Sequence, residues 1–286
     1  MSDKSGKTAL VVEGGGMRGI FAAGILHAFG REKFDPFDLY IGVSAGACHL
    51  ASYLAGQNDR NFDITLRYAL NPEFINIRRF LRGGHLMNLD WMWEQTITHY
   101  RLNLKYLFEN LSAKNKEYFV VATSMKTGEA LYLKPYEDTL EDYLKISSSL
   151  PIFYRSVLQA NGEPATDGGI ADSIPVHRAY QQGAKNIIVL RSRPSDYVKK
   201  QSSLTFILSF YFRKYPRLIE KIKTRAQNYM AAVNFIHNPP DGVRITELAP
   251  PGNSGLSRIT QNEVALLANY EAGIEYGYKF MKGYQD

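Results

Sequence analysis

Two apolar runs that end in glycine-containing turns constrain the fold more strongly than any other feature of this sequence. Residues 8–13 (TALVVE) stop at three consecutive glycines, and residues 19–31 then place apolar side chains near helical spacing. Residues 38–43 (DLYIGV) are followed in the same way by residues 45–55, which are rich in small side chains. Short, nearly continuous apolar runs are typical of strands buried on both faces of a parallel sheet. The repeated order of strand, turn and helix therefore predicts an α/β fold.

The middle of the chain extends this pattern. Apolar runs predict further strands at residues 117–123, 130–133 and 186–191, the last preceded by a helix near 174–183. Residues 60–110 have helical patterning and many large side chains, which we interpret as an insertion over one edge of the sheet. We predict a three-layer α/β/α fold with a mostly parallel central sheet.

The organisation of the chain changes near Ser195, where we place a boundary. We predict a larger domain over residues 8–195 and a smaller C-terminal region over residues 196–286. The pattern in that region predicts a helix near 215–236, a strand at 243–248 and a final helix near 260–281.

The composition excludes several classes of protein. The chain has 286 residues, of which 45% are hydrophobic and 13% aromatic, so a disordered chain is excluded. The single cysteine, Cys48, excludes a disulfide framework and a zinc site built from cysteines. The first residues (MSDKSGKT) contain no apolar run of signal-peptide length, and no stretch approaches ~18 apolar residues. We therefore expect a cytoplasmic protein without a transmembrane span.

Positive charge is concentrated in one segment. The net charge is +6, and residues 199–225 contain eight basic side chains against one acidic side chain, Glu220. The same segment includes an apolar, aromatic run at residues 204–212. One interpretation is a core element followed by a solvated basic helix, and another is peripheral contact with an anionic membrane. Nucleic acid is not an expected partner, because the chain contains no nucleic-acid-binding motif.

The first glycine motif has two interpretations. Residues 14–19 (GGGMRG) satisfy G-x-G-x-x-G between a predicted strand and a predicted helix, and Asp35 and Asp38 follow about 20 residues later. This arrangement is typical of a dinucleotide site, because glycines expose backbone N–H groups at the positive end of a helix. The same N–H groups would equally receive the oxyanion of a tetrahedral intermediate.

A second motif favours the oxyanion interpretation. Residues 42–46 (GVSAG) form G-x-S-x-G, again between a predicted strand and a predicted helix, which is the pattern of a nucleophile elbow. A dinucleotide-binding fold provides no reason for a serine at this place. The two motifs together predict a serine hydrolase with Ser44 as its nucleophile.

The serine hydroxyl needs a base, and the sequence offers few candidates. Only His177 and His237 could follow a suitable acid in the chain order of an α/β-hydrolase, and neither lies in a loop of small residues. Asp167 is the better candidate, because it is followed by Gly168 and Gly169 just before a predicted strand–helix unit. An aspartate is a weak base at its usual pKa of about 3.9, so it needs close geometry and a dry site.

At this point the chain resembles the patatin-like phospholipases. That family combines a loop of the form D-G-G-G-x-R-G, a G-x-S-x-G elbow and a D-G-G or D-G-A turn, which match residues 13–19, 42–46 and 167–169. A serine-rich stretch that ends in proline before an aromatic residue matches residues 147–153, and a polar-x-Pro sequence matches residues 173–175. All the matches occur in family order.

The resemblance implies a role for each matched residue. Ser44 is implied as the nucleophile and Asp167 as the general base. The oxyanion hole is implied at the backbone of Gly14, Gly15, Gly16 and Met17. Supporting residues are implied at Arg18, Gly19, Gly42, Gly46, Gly168 and Gly169. Glu13 replaces the usual aspartate, and we expect it to orient the loop without touching substrate.

The sequence therefore predicts a serine acyl hydrolase that cleaves lipid or other acyl esters through an acyl-enzyme. No metal or other cofactor is implied. Three alternatives stay open: transfer of the acyl group to an alcohol, a nucleotide-binding protein that uses residues 14–19 alone, and a non-catalytic lipid-binding scaffold.

Overall fold

The fold is built on one eight-stranded sheet. A computed structural model describes residues 6–201, 205–252 and 254–284. The strands are β1 Lys7–Val12, β2 Leu39–Val43, β3 Glu117–Ser124, β4 Ala130–Leu133, β5 Leu158–Ala160, β6 Glu163–Asp167, β7 Ala184–Leu190 and β8 Arg244–Leu248. Their order is β5-β6-β3-β2-β1-β7-β8, with β4 paired to β3. The pairs that join β3, β2, β1, β7 and β8 are parallel, whereas β4, β5 and β6 pair in antiparallel fashion.

Helices cover both faces of the sheet. The helices are α1 Ile20–Arg31, α2 Ala45–Leu54, α3 Arg60–Ile64, α4 Ile77–Leu81, α5 Leu89–His99, α6 Leu104–Ala113, α7 Leu140–Ser147, α8 Val176–Gln181, α9 Thr205–Tyr211, α10 Pro216–His237 and α11 Glu263–Gly283. Leu10 and Val12 of β1 pack into the core that contains α1 and α2, whereas Ala9 and Val11 pack into the core that contains α8 and α10. The predicted three-layer α/β/α arrangement is confirmed. None of the described helices is long and apolar enough to cross a membrane.

Local sequence explains where several helices begin. Asn76, Asn88, Asn103 and Asn262 precede α4, α5, α6 and α11, and each asparagine side chain accepts a hydrogen bond from a backbone N–H of the first turn. Such caps satisfy donors that have no partner inside the helix. The insertion predicted at residues 60–110 consists of α3 to α6, as its patterning indicates.

The apolar patterns do not predict β5 or β6. These strands have three and five residues, and β6 contains Pro164, so neither produces a clear alternation. They matter nevertheless, because β6 ends at Asp167.

The C-terminal part of the chain packs onto the same sheet. β8 extends it by pairing with β7, and α10 covers the face that also holds α8. α11 lies along α1 at close range: a Cβ added to Gly277 would lie 2.8 Å from the Cβ of Ala28, and one added to Gly273 would lie 3.1 Å from the Cα of Gly24. Only glycine lets two helix backbones approach this closely.

Candidate active site

Ser44 lies in a sharp turn between β2 and α2. Its backbone angles are φ 53° and ψ −128°, a conformation that is strained for any residue with a side chain. The N–H of Ser44 donates to Oγ of Ser147 over 2.7 Å, and that hydroxyl donates to the carbonyl of Val121 over 2.5 Å. Ser147 therefore connects the turn to β3 and holds it in its strained form.

The glycines on either side of Ser44 allow the turn to pack tightly. A Cβ on Gly42 would lie 2.5 Å from the Cα of Ala47, and a Cβ on Gly46 would lie 2.6 Å from the carbonyl oxygen of Val12. A side chain at either position would force the backbone apart. The predicted nucleophile elbow thus has the local geometry that its motif requires.

The register of the sheet brings Asp167 next to Ser44. On β3, Val121 pairs with Val43 and the next residue, Ala122, pairs with Asp167. At both Val121 and Ala122, one edge of β3 pairs with β4. β2 and β6 therefore share the other edge of β3, and β6 begins to pair where β2 ends. Ser44 follows β2 directly and therefore lies beside the end of β6.

The carboxyl group of Asp167 is buried, with 2% of the residue exposed. Its Oδ1 accepts a hydrogen bond from the N–H of Gly169 over 2.8 Å, whereas Oδ2 has no hydrogen-bond partner among the described residues. Burial raises the pKa of Asp167 above its usual range, although the charges of Arg225 and Arg258, the Ser44 hydroxyl and the Gly169 N–H each lower it. A carboxylate with a raised pKa is a better proton acceptor than an exposed one.

The glycine loop that follows β1 lies against Ser44. A Cβ added to Gly14 would lie 3.1 Å from the Cβ of Ser44. Gly16 has φ 56°, and a Cβ there would lie 2.6 Å from the carbonyl oxygen of Arg258. The same carbonyl accepts the N–H of Met17 over 3.2 Å. The N–H of Met17 thus already has an acceptor within the chain, and its contribution to an oxyanion hole stays a prediction.

Glu13 fixes the start of this loop through a buried network. Its Oε2 accepts the N–H of Ser192 over 2.8 Å and Nε of Arg191 over 3.0 Å, and its Oε1 accepts the hydroxyl of Tyr229 over 3.0 Å. Burial alone would raise the pKa of Glu13, but the charge of Arg191 and these hydrogen bonds lower it overall. With both carboxylate oxygens occupied, Glu13 holds the start of the loop in place, and the expectation that it does not touch substrate stays a prediction.

The remaining predicted residues surround this core. Gly19 lies against the ring of His49, Gly168 lies against the backbone of Val121, and Gly169 accepts Nε of Arg225 at its carbonyl over 2.6 Å. Arg18 is buried, and its Nε has no hydrogen-bond partner among the described residues.

The two histidines considered as alternative bases lie elsewhere. The ring of His177 packs on Phe235 with centroids 4.3 Å apart, and Nε2 of His237 lies 3.1 Å from Glu247. Neither histidine lines the cavities at Ser44. His49 does line one of them, but burial lowers its pKa to about 4, so its ring is neutral.

Two cavities of opposite character meet at Ser44. One, of about 150 Å³, is apolar and is lined by residues that include Met17, Ile20, Phe74, Leu89, Met92 and Trp93. The other, of about 320 Å³, contains Asp167 and several cationic side chains. Four residues line both cavities: Gly16, Ser44, Leu150 and Arg258. No group of three or more His, Cys, Asp or Glu side chains in the described part of the chain could hold a metal ion.

Comparison with known proteins places the chain in a family. The family model described as patatin-like phospholipase matches residues 10–180, which is more than half of the chain. The chain belongs to the patatin-like phospholipase family. The predicted resemblance is confirmed, and the family is one of hydrolases. A second model, described only as a domain of unknown function, matches residues 215–286 of this patatin-like protein.

The alignments of this patatin-like chain with individual relatives cover different fractions of those relatives' lengths. Uncharacterized protein YjjU of Escherichia coli (strain K12) is 34% identical over 285 residues, which cover 96% of this chain and 77% of YjjU. Lysophospholipase NTE1 of Kluyveromyces lactis is 23% identical over 295 residues, and the match covers 97% of this chain but only 19% of NTE1. The crystal structure of VipD from Legionella pneumophila aligns with a TM-score of 0.44 and 13% identity, over 99% of this chain and 68% of VipD.

Proposed function

We propose that this protein hydrolyses lipid acyl esters with a catalytic dyad of Ser44 and Asp167. The observation that supports the proposal best is the register on β3, since Val43 and Asp167 pair with consecutive residues of that strand. The conformation of Ser44, the burial of Asp167 and the adjacent glycine loop agree with it.

In the proposed reaction, Oγ of Ser44 attacks the ester carbonyl carbon while Oδ2 of Asp167 accepts its proton. The N–H groups of Gly14, Gly15 and Gly16 receive the negative charge on the carbonyl oxygen. The C–O bond of the ester then breaks, and the leaving alcohol takes the proton from Asp167. Water attacks the acyl-enzyme, gives its proton to Asp167, and the carboxylic acid leaves as Ser44 regains its proton.

The apolar cavity supports a lipid substrate. It opens onto Ser44 and is lined mainly by aliphatic, methionine and aromatic side chains, which suit an alkyl chain. The family name and the lysophospholipase relatives point to the same class of substrate.

A fluorophosphonate probe tests the dyad. We expect one adduct on the wild-type protein by intact mass, and none on Ser44→Ala, because only an activated serine reacts with the probe. Ser112→Ala is the matched control: this exposed serine lies on α6, and its loss should leave labelling unchanged.

The absence of an adduct on folded wild-type protein would contradict the proposal. Stabilisation of that protein by a dinucleotide would then favour the nucleotide-binding alternative. If the adduct forms, analysis of ester products with and without glycerol distinguishes hydrolysis from acyl transfer.

We also propose peripheral contact with an anionic membrane through α9. Ile207, Phe210 and Tyr211 are 53%, 70% and 46% exposed, and the exposed cations Arg213 and Lys214 follow them. Phe212 packs into the small core beneath the helix. Leu204, the first residue of the apolar run, lies outside the described residues. An apolar face next to cations suits the interface of a membrane with negative headgroups.

Sedimentation with liposomes tests this contact. We expect Phe210→Ser to lower the bound fraction on anionic vesicles several-fold, since it removes the most exposed of the apolar side chains that the structure describes on α9. Val264→Ser is the matched control, because Val264 is 78% exposed on α11. Equal binding of the wild type to neutral and anionic vesicles would refute the role of charge.

A further inference from the structure

The polar cavity beside Ser44 has the features of an anion site. We infer that it binds a phosphomonoester headgroup, so that the protein prefers acyl esters that carry a terminal phosphate over zwitterionic or neutral ones. This inference rests on the proposed function for the position of the ester. It does not follow from that function, which requires only the dyad, the glycine loop and the apolar cavity.

The cavity holds an excess of positive charge. Its cationic lining residues are Arg18, Arg193, Lys199, Lys200, Arg225 and Arg258. The acidic lining residues are Glu13 and Asp167, and the carboxylate of Glu13 is already paired with Arg191. Among the described residues, none of these six basic side chains forms an ion pair with a carboxylate. The arginines and Lys200 therefore have most of their charge left for a ligand, and Lys199 can add to it by taking up a proton.

Arg18 places a positive charge in the cavity at a position that is shielded from solvent. The residue is only 7% exposed, and its Nε has no hydrogen-bond partner in the described part of the chain. Burial, together with the charges of Arg258 and Arg193, lowers the pKa of Arg18 to about 10. A buried guanidinium with an unsatisfied N–H lowers the stability of the protein unless an acceptor, such as a bound anion, compensates it.

Neighbouring positive charges also lower the pKa values of Arg225 and Lys199. Burial and the charge of Arg258 lower the pKa of Arg225 to about 10. Burial and the charges of Arg225 and Arg258 lower the pKa of Lys199 to about 6, and its Nζ lies 4.3 Å from the centre of the Tyr229 ring. A bound dianion would reverse these shifts, and Lys199 would take up a proton.

The chemistry of the lining favours phosphate. Guanidinium groups match the geometry of phosphate oxygens, and a phosphomonoester carries a charge of about −1.5 to −2 at neutral pH. A phosphocholine group would instead bring a quaternary ammonium into a cationic cavity. Because both cavities share Ser44, one lysophospholipid can place its alkyl chain in the apolar cavity and its phosphate in the polar one.

The C-terminal part of the chain contributes two arginines to this anion site. Arg225 and Arg258 lie within residues 215–286, the stretch matched by the domain of unknown function. Arg225 also donates to the carbonyl of Gly169, so its replacement would disturb the turn after Asp167. Lys199 and Arg258 are therefore the better positions for a test. The carbonyl of Arg258 that accepts Met17 is unaffected by a change of side chain.

Calorimetric titration of Ser44→Ala protein tests the site without turnover. We expect lysophosphatidic acid to bind at least about tenfold more tightly than lysophosphatidylcholine with the same acyl chain, and to weaken as salt is raised. Adding Lys199→Gln and Arg258→Gln should bring the ratio of the two affinities close to one. Lys223→Gln is the matched control, since Lys223 is exposed on α10 and does not line the cavity.

Each outcome decides the inference. Equal affinities for the two lysophospholipids on Ser44→Ala protein would overturn it, and this comparison does not depend on the folding of the triple variant. Inorganic phosphate that binds as tightly as lysophosphatidic acid would assign the site to free phosphate and overturn the headgroup assignment. Hydrolysis of p-nitrophenyl butyrate by the wild type is measured in parallel. Its absence would count against the proposed function, while the titration would still decide the anion site.

Discussion

Replacing Asp167 with asparagine is expected to lower kcat for ester hydrolysis by about 10²- to 10⁴-fold and to stabilise the protein at the same time. The rate falls because an asparagine cannot accept the proton of the Ser44 hydroxyl. The stability rises because Asp167 is buried and burial raises its pKa, so its ionised form opposes folding at neutral pH. A gain of roughly 0.5–2 kcal/mol in the free energy of unfolding is expected.

The two effects have a defined pH dependence. A carboxyl group whose pKa is raised on folding contributes stability that is fully present below its unfolded-state pKa, about 3.9, and lost as the pH rises through the folded-state pKa. The advantage of Asp167→Asn in Tm should therefore be small near about pH 4 and largest near about pH 8. Over the same window, kcat/KM of the wild type should rise as Asp167 ionises.

Thermal unfolding at both pH values and hydrolysis of p-nitrophenyl butyrate measure these effects. Asp172→Asn is the matched control: burial also raises the pKa of Asp172, but its Oδ2 accepts the hydroxyl of Tyr132 over 2.8 Å, away from Ser44. The control should keep its activity. An Asp167→Asn protein with the kcat of the wild type would remove Asp167 from the mechanism.

Replacing Arg191 with methionine is expected to lower the free energy of unfolding by about 3–5 kcal/mol. Arg191 is fully buried and pairs with Glu13 and Glu247, and its Nη2 donates to the hydroxyl of Tyr229 over 2.9 Å. Methionine has a similar shape but leaves the carboxylate of Glu13 buried without its cation. In a chain of this size the loss corresponds to a fall in Tm of about 10 °C.

A double-mutant cycle with Glu13→Gln identifies the cause. The double variant no longer buries the carboxylate of Glu13 without its cation, and only Glu247 still lacks Arg191. It should therefore recover part of the stability that Arg191→Met loses. Urea unfolding of the wild type, both single variants and the double variant provides the four free energies. If Arg191→Met is as stable as the wild type, the buried network does not hold the glycine loop in place.

The elements around Ser44 can be predicted because their signals are local. β1 and β2 are continuous apolar runs, and the turns that follow them require glycines for tight packing. The helix predicted at residues 19–31 begins one residue later in the structure and ends at the same residue. Asp167 can also be predicted from its immediate neighbours, because the two glycines that follow it indicate a turn.

Other residues around Ser44 are brought there by the fold, and no local sequence pattern predicts their positions. Arg191 reaches Glu13 across 178 residues, and no pattern in either segment indicates the pair. The basic segment at residues 199–225 illustrates the same limit, because Lys199 and Arg225 line the polar cavity whereas Arg213 and Lys214 are exposed. Charge alone does not say whether a side chain faces solvent or a ligand, and only the fold does.

The pairing of α1 with α11 joins two helices from opposite ends of the sequence. During translation, α1 leaves the ribosome long before α11 has been made, and its apolar face has no partner in that interval. Arg258, whose carbonyl holds Met17, is also synthesised late. A nascent chain therefore contains Ser44 and Asp167 before its glycine loop is fixed. On the proposed function, a newly made chain can therefore cleave acyl esters only after the segment that carries Arg258 has been synthesised and has packed against the glycine loop.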